Sequence, residues 1–310
     1  MSIHKFDIIV LGNGGGIDES NLSSFLISAC EADRYICFDA GSLMHGLKLA
    51  AVNGHFDHLH NPKLKISAHV LINHIDAYCI SHPHLDHIAG MLIVAPLDSK
   101  KTIFGSHTTI ENLNKHVFFS PIWGDFTTQK NKNGKWDLKK MDEKQWYTVE
   151  NNALKIKYYP LTHGKANNSS AFLIEHLEEY MLFFGDTGSD RIQKTDNIEK
   201  IFKEISPLIR QKKLKAVFIE SSFSNNRKDD ELYGHMKPSL IEEELHKLAI
   251  MVDKDKHTTA LKGLKILITH IKPDCKKEYS ATEIIIKEIN KMKSFGAEII
   301  ITKQSEKYKI

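Results

Sequence analysis

The sequence predicts an α/β (α+β) protein, with two mixed sheets packed face to face and helices on the outer faces. Three observations lead there. Short apolar runs of strand length recur along the chain, each closed by a polar or glycine-rich turn. Helix-period segments lie between some of them. Runs and helices fall into a first group and then a second, which suits a sheet-on-sheet core covered by helices.

The first group holds strand-like runs at 6–11, 24–27, 35–38 and 75–80, with a helical pattern at 88–95. The second holds runs at 155–159, 171–174, 180–184, 216–219, 265–268 and 298–301, with helical patterns at 197–211, 239–252 and 281–295. Between the groups, residues 107–148 are polar, rich in Lys and Asn, and carry all three tryptophans, Trp123, Trp136 and Trp146. Asn133-Gly134 in that stretch reads as a hairpin turn. The expectation is one domain over residues 1–310, with 107–148 inserted over one edge of the core. Its tryptophans suit a lid, a base-stacking wall or a homodimer contact, and equally suit plain packing.

Composition narrows the function classes. The chain has 310 residues, 41% hydrophobic and 26% charged, which fits a globular enzyme with a sizeable core. A net charge of +3 is too small to argue for nucleic acid as a partner. Cys30, Cys37, Cys79 and Cys275 form no C-x-x-C pair and read as free thiols in a reducing compartment. The N-terminal apolar run is short and interrupted by Asp7, unlike a signal peptide. No stretch nears the roughly 20 apolar residues that span a bilayer. The expected setting is cytoplasmic rather than periplasmic, with no membrane partner.

The strongest chemical signal is Ser81-His82-Pro83-His84-Leu85-Asp86-His87, directly after the run at 75–80. A strand ending in a tight turn aims His82 and His84 to one side, and Asp86 and His87 to a neighbouring position. Imidazole and carboxylate are the donors that first-row metals such as zinc take. Three further candidates, His163, Asp186 and His270, each sit just past the end of an apolar run. A second histidine cluster, His55 to His60, follows no convincing strand and is ended by Asn61-Pro62, so it reads as loop or helix. The glycines from Gly12 to Gly16 lack the Lys-Ser/Thr ending of a phosphate loop and read as a tight turn bordering the metal site.

Taken in order, His82-x-His84-x-Asp86-His87, His163, Asp186 and His270 resemble the ligand set of the metallo-β-lactamase fold, an αββα sandwich. The resemblance implies two divalent ions, zinc first, with manganese or iron able to replace it. His82, His84 and His163 would hold one ion, Asp86, His87 and His270 the other, and Asp186 would bridge them. The longer stretch from Ser81 through Gly90-Met91 resembles the signature of class II cyclic-nucleotide phosphodiesterases. So do Gly14-Gly15-Gly16, Phe38-Asp39-Ala40-Gly41, Ser169-Ser170-Ala171-Phe172-Leu173-Ile174 and Thr269-His270-Ile271-Lys272-Pro273. In the phosphodiesterase branches of this fold an acidic residue orients a downstream histidine. Carried over, Glu220 in Glu220-Ser221-Ser222-Phe223 would orient His235, and His235 would protonate the leaving oxygen. Asp86, His235 and Glu220 are therefore the residues expected to be catalytic. The implied function is metal-dependent hydrolysis of 3′,5′-cyclic AMP, or cyclic GMP, by a metal-bridged hydroxide, a signalling role. A small-molecule substrate is expected, not a nucleic acid. The alternatives are a ribonuclease Z-like RNA processor and a metal-bound binding protein without catalysis.

Overall fold

The computed structural model describes residues 4–120, 123–164, 167–274 and 280–310. They fall into two compact units, one from Met1–Asn13, Asp18–Tyr158 and Lys303–Ile310, the other from Gly14–Ile17 and Tyr159–Thr302.

In the first unit, β1 (Phe6–Gly12), β2 (Ser24–Ala29), β3 (Tyr35–Ala40), β4 (Ile75–Cys79), β5 (Lys101–Ser106) and β6 (Trp136–Met141) lie side by side in chain order. The last strand of the chain, β14 (Lys307–Lys309), adds beside β1. Pairing is antiparallel from β14 to β3 and parallel from β3 to β6. Parallel neighbours need crossovers. Helices α1 (Leu43–Val52) and α2 (Ile66–Asn73) supply one between β3 and β4, and α3 (Leu85–Val94) supplies the next. The short α4 (His107–Asn112) follows β5. One face of the sheet, with Ile9, Leu11, Leu26 and Cys37, packs on Leu43, Leu47, Val70, Ile88 and Met91 of the helices. The alternate residues Ile8, Val10, Ile27, Ile36 and Phe38 are buried as well. Strands covered on both faces read as unbroken apolar runs, which is why these were visible in the sequence.

The second sheet runs, in chain order, through β7 (Trp146–Thr148), β8 (Lys155–His163), β9 (Asn167–His176), β10 (Glu179–Phe184), β11 (Leu214–Glu220), β12 (Lys265–Thr269) and β13 (Glu298–Ile301). The chain passes from the first unit to the second within β8, after Tyr158. Strands β10 to β13 are parallel, and β9 is antiparallel to β10. The helices are α5 (Asp190–Gln193), α6 (Asn197–Arg210), α7 (Pro238–Val252) and α8 (Ala281–Ile289). Val217, Ile219, Ile266 and Ile268 pack on Ile201, Phe202, Leu245, Leu248 and Ile285.

All ten expected strands and all four expected helices are present, with ends moved by a few residues. The hairpin at Asn133-Gly134 is not. The Gly134 N–H closes a turn on the Asn131 carbonyl at 2.8 Å, and Thr127 bridges Trp136 in parallel. The chain then enters β6 parallel to β5, so the turn joins no antiparallel pair. The stretch 107–148 thus supplies α4 and an edge strand of each sheet, β6 and β7. Trp136 is fully buried, its indole N–H donating to Asp98 at 3.1 Å, which is the packing role. Cys37 and Cys79 are buried thiols outside any disulfide, and Cys275 lies outside the described residues. Among the described residues no helix is long and apolar enough to cross a membrane.

Candidate active site

In the first unit the chemistry gathers where β3 and β4 end and α3 begins. His82 and His84 lie in the turn after β4, but α3 starts at Leu85, with His84 at its N-cap. The first helical turn, rather than the loop, therefore carries Asp86 and His87. The helix comes this close to the end of β3 because Gly90 has no side chain. A Cβ there would stand 2.6 Å from the Gly41 carbonyl oxygen. His82 and His87 are buried, with ring centroids 4.2 Å apart. His82 Nε2 faces His84 Nδ1 at 2.9 Å.

Asp39 organises this cluster. It is fully buried, with a left-handed backbone at φ 52°. Its carboxylate accepts the Ser81 N–H at 2.8 Å, the Ser81 hydroxyl at 2.9 Å and His87 Nδ1 at 2.7 Å. A carboxylate only accepts, so His87 carries its hydrogen on Nδ1 and keeps a lone pair on Nε2. The Ser81 hydroxyl spends its hydrogen on Asp39, so His82 Nδ1, 3.0 Å away, donates to it. His82 Nε2 is then the bare nitrogen too.

In the second unit the residues again sit at strand ends: His163 closes β8, Asp186 follows β10, Glu220 closes β11 and His270 follows β12. Carboxyl ends of parallel strands are where open α/β sheets present their ligands. Asp186 Oδ2 lies 3.3 Å from His270 Nε2 and 3.9 Å from His163 Nε2. His163 Nδ1 donates to the Gly234 carbonyl at 2.9 Å, which leaves Nε2 bare. Burial also pushes the His163 pKa below its usual value, favouring the neutral ring that a metal takes. His270 holds φ 56°, an uncommon conformation for a residue with a side chain. The glycine run reaches it directly. Gly14 bridges Ile271, and a Cβ on Gly15 would stand 2.3 Å from the His270 ring.

Beside these donors lies an acid–histidine pair. His235 Nδ1 is 3.0 Å from each oxygen of Glu220, which also accepts the Thr187 N–H at 2.8 Å and the Ser222 hydroxyl. Helix α7 begins at Pro238 with Lys237 at its N-cap, so His235 does not serve as a cap. Burial opposes a charge on the His235 ring, but the charge and hydrogen bond of Glu220 outweigh it and hold its pKa above the usual value. Burial likewise opposes the Glu220 charge, and His235 outweighs it, holding that carboxyl below the usual range. Donor atoms of His163, Asp186, Glu220 and His235 all lie within 4.8 Å of one another.

The donors fit a first-row metal. They are imidazole nitrogens, with the lone pair of His82, His87 and His163 assigned to Nε2, and carboxylate oxygens, not ammonium groups or amides. The cluster from His55 to His60 does not share this character. His55 bonds the Ser305 carbonyl at 2.8 Å, His58 bonds Asp33 at 2.8 Å, and Phe56 sits in the core. Two residues had no role in the sequence reading, although their segments stood out there. Asp39 is one. The other is Ser222, whose hydroxyl lies 3.0 Å from His270 Nδ1 and 3.3 Å from His235 Nδ1.

A family model for class-II cAMP phosphodiesterases matches residues 6–305. The chain is 33% identical over 315 residues to a probable 3′,5′-cyclic-nucleotide phosphodiesterase of Yersinia pestis, spanning 100% of this chain and 90% of that protein. It is 32% identical over 309 residues to the 3′,5′-cyclic-nucleotide phosphodiesterase of Aliivibrio fischeri, spanning 97% and 92%. Among solved structures, unliganded yeast PDE1 superposes with a TM-score of 0.84 at 23% identity, over 99% of this chain and 100% of that one. The metallo-β-lactamase fold protein YhfI from Bacillus subtilis gives 0.63 at 17% identity, over 99% and 100%. These two likenesses show the metallo-β-lactamase fold.

Proposed function

The chain belongs to the class-II cAMP phosphodiesterases, and on that premise we propose that it hydrolyses 3′,5′-cyclic AMP to the 5′-monophosphate, with cyclic GMP the second substrate to test. The observation that carries the chemistry is the buried Glu220–His235 pair within reach of His163 and Asp186. Hydrolysis of a cyclic phosphodiester expels a sugar alkoxide, which needs a proton. His235 is the group that gives it, and Glu220 keeps the ring oriented and charged. His82, His84, Asp86, His87, His163, Asp186 and His270 are proposed as ligands of two divalent ions, zinc first. Such ions, when bound, polarise a phosphoryl oxygen and lower the pKa of water. Asp39 and Gly234 fix the rings of His87 and His163 with Nε2 bare, so those ligands need no rearrangement. The unpaired Cys37 and Cys79 support a reducing, cytoplasmic setting.

The test is hydrolysis of cyclic AMP and cyclic GMP by the purified protein, with metal content measured on the same sample. Asp186→Ala is expected to lower metal content and turnover together. His235→Ala is expected to keep the metals and lose turnover by about 10²–10⁴. Normal turnover in His235→Ala removes the proposed acid.

A further inference from the structure

Lys272 follows His270 by two residues and is half-buried. Three features hold it in place. Its backbone N–H donates to the Ser222 carbonyl at 3.4 Å, on the loop that follows Glu220. The preceding residue, Ile271, is bridged to Gly14 and accepts the Gly15 N–H at 3.2 Å. The following residue is Pro273, which biases Lys272 towards an extended backbone. Its ammonium lies 6.0 Å from the centre of the Phe223 ring, and that ring meets the His235 ring edge-on at 5.7 Å. Gly16, at φ 92°, lies alongside: a Cβ placed there would stand 4.0 Å from the ammonium.

Among the described residues the Lys272 ammonium has no carboxylate partner and no hydrogen-bond acceptor. The carboxylates beside His235 are engaged with histidines: Glu220 with His235, and Asp186 with His163, His235 and His270. A half-buried cation without a counter-charge is costly, and an anionic ligand relieves that cost. The Lys272 charge also reaches His235, where it opposes the effects of Glu220 and Asp186. The cation and the proposed proton donor thus both lie against one aromatic ring, Phe223.

We propose that Lys272 is the phosphate clamp of this site, receiving a non-bridging oxygen of the cyclic phosphate on its ammonium while His235 faces the leaving oxygen. The assignment rests on the phosphodiesterase reading and adds a substrate-binding residue to it. The glycine run then has a second purpose. Without side chains at Gly15 and Gly16, the phosphate can approach both His270 and Lys272.

Metal-loaded wild type, Lys272→Met and Lys272→Arg test this by calorimetric titration with inorganic phosphate and, separately, with the neutral nucleoside adenosine. Lys272→Met is expected to weaken phosphate binding roughly 10–100-fold, the range for a hydrogen bond to a charged group. Adenosine affinity and metal content should stay at wild-type values, and Lys272→Arg should recover most of the phosphate affinity. The KM for cyclic AMP should rise with the loss of phosphate affinity. Phosphate binding equal to wild type in Lys272→Met overturns the clamp. So does an equal loss of adenosine affinity, which marks general damage. Phosphate binding that depends on Lys272, in a protein that hydrolyses no cyclic nucleotide, keeps the clamp and discards the substrate.

Discussion

Asp39 and Gly234 do the same work by different means: each takes the Nδ1 hydrogen of a histidine and so leaves its Nε2 bare. Removing Asp39 leaves the Ser81 N–H and His87 Nδ1 without their acceptor in a buried place. Asp39→Ala is expected to weaken metal binding about 10–100-fold, measured by titration against a chelator of known affinity. Affinity equal to wild type would show that His87 is oriented by its other neighbours. The histidines and Asp86 were legible in the sequence because one short segment concentrates donors of a single chemical type. Asp39 and Ser222 carried no such mark. An aspartate or serine at a strand end is commonplace, and their significance comes from partners 48 residues away in the chain, His87 and His270.

At the level of elements, most of the surviving expectations and failures separate by burial; the exceptions are β5, buried but not read, and β13, read but not fully buried. Strands β1 to β4 and β8 to β13 each contain an apolar run, and each was readable from the sequence through it. The edge strand β6, Trp136–Met141, alternates buried and exposed residues and carries two lysines, so its apolar count is low. Charges of this kind protect a sheet edge from pairing further, and they hide the strand from a hydrophobicity reading. Helix α1 was missed for a different reason. It follows the Asp39-Ala40-Gly41 turn at once, and its N-cap Ser42 makes no capping bond. The Ser42 hydroxyl instead donates to the Glu19 carbonyl.

Helix α6 is capped from outside. Asp190, on α5, accepts the N–H groups of Ile198 at 3.2 Å and Glu199 at 2.8 Å. Asp190→Ala is expected to destabilise the protein by about 1–2 kcal/mol in denaturant titration, the range for losing a capping acceptor. Glu244 on α7 gives a pH signature. Burial raises its carboxyl pKa, and the Lys247 hydrogen bond only partly offsets this. A raised folded-state pKa gives stability that is present below the unfolded value, about 4.3, and lost as pH climbs through the folded value. The melting temperature of wild type should therefore fall relative to Glu244→Gln as pH rises from about 4, then run parallel. A constant difference between the two proteins across that range would mean Glu244 titrates normally.

For the whole molecule, a metal held by the proposed donors would add to stability. A ligand that binds only the folded state adds about 2.7 kcal/mol at a hundred times its dissociation constant. Dialysis against a chelator should lower the melting temperature, and added zinc should restore it. An unchanged melting temperature would mean that the donor clusters bind no stabilising ion.

The placement of the aromatic residues decides what such melts report. All three tryptophans, Trp123, Trp136 and Trp146, belong to the first compact unit, and the second has none. Indole emission therefore comes from residues of the first unit, with Trp136, locked in the core on Asp98, as its interior probe. Circular dichroism weighs the helices of both. Coincident midpoints by the two signals would identify one cooperative transition, and separated midpoints would assign the emission change to the unit that carries His82, His84, Asp86 and His87.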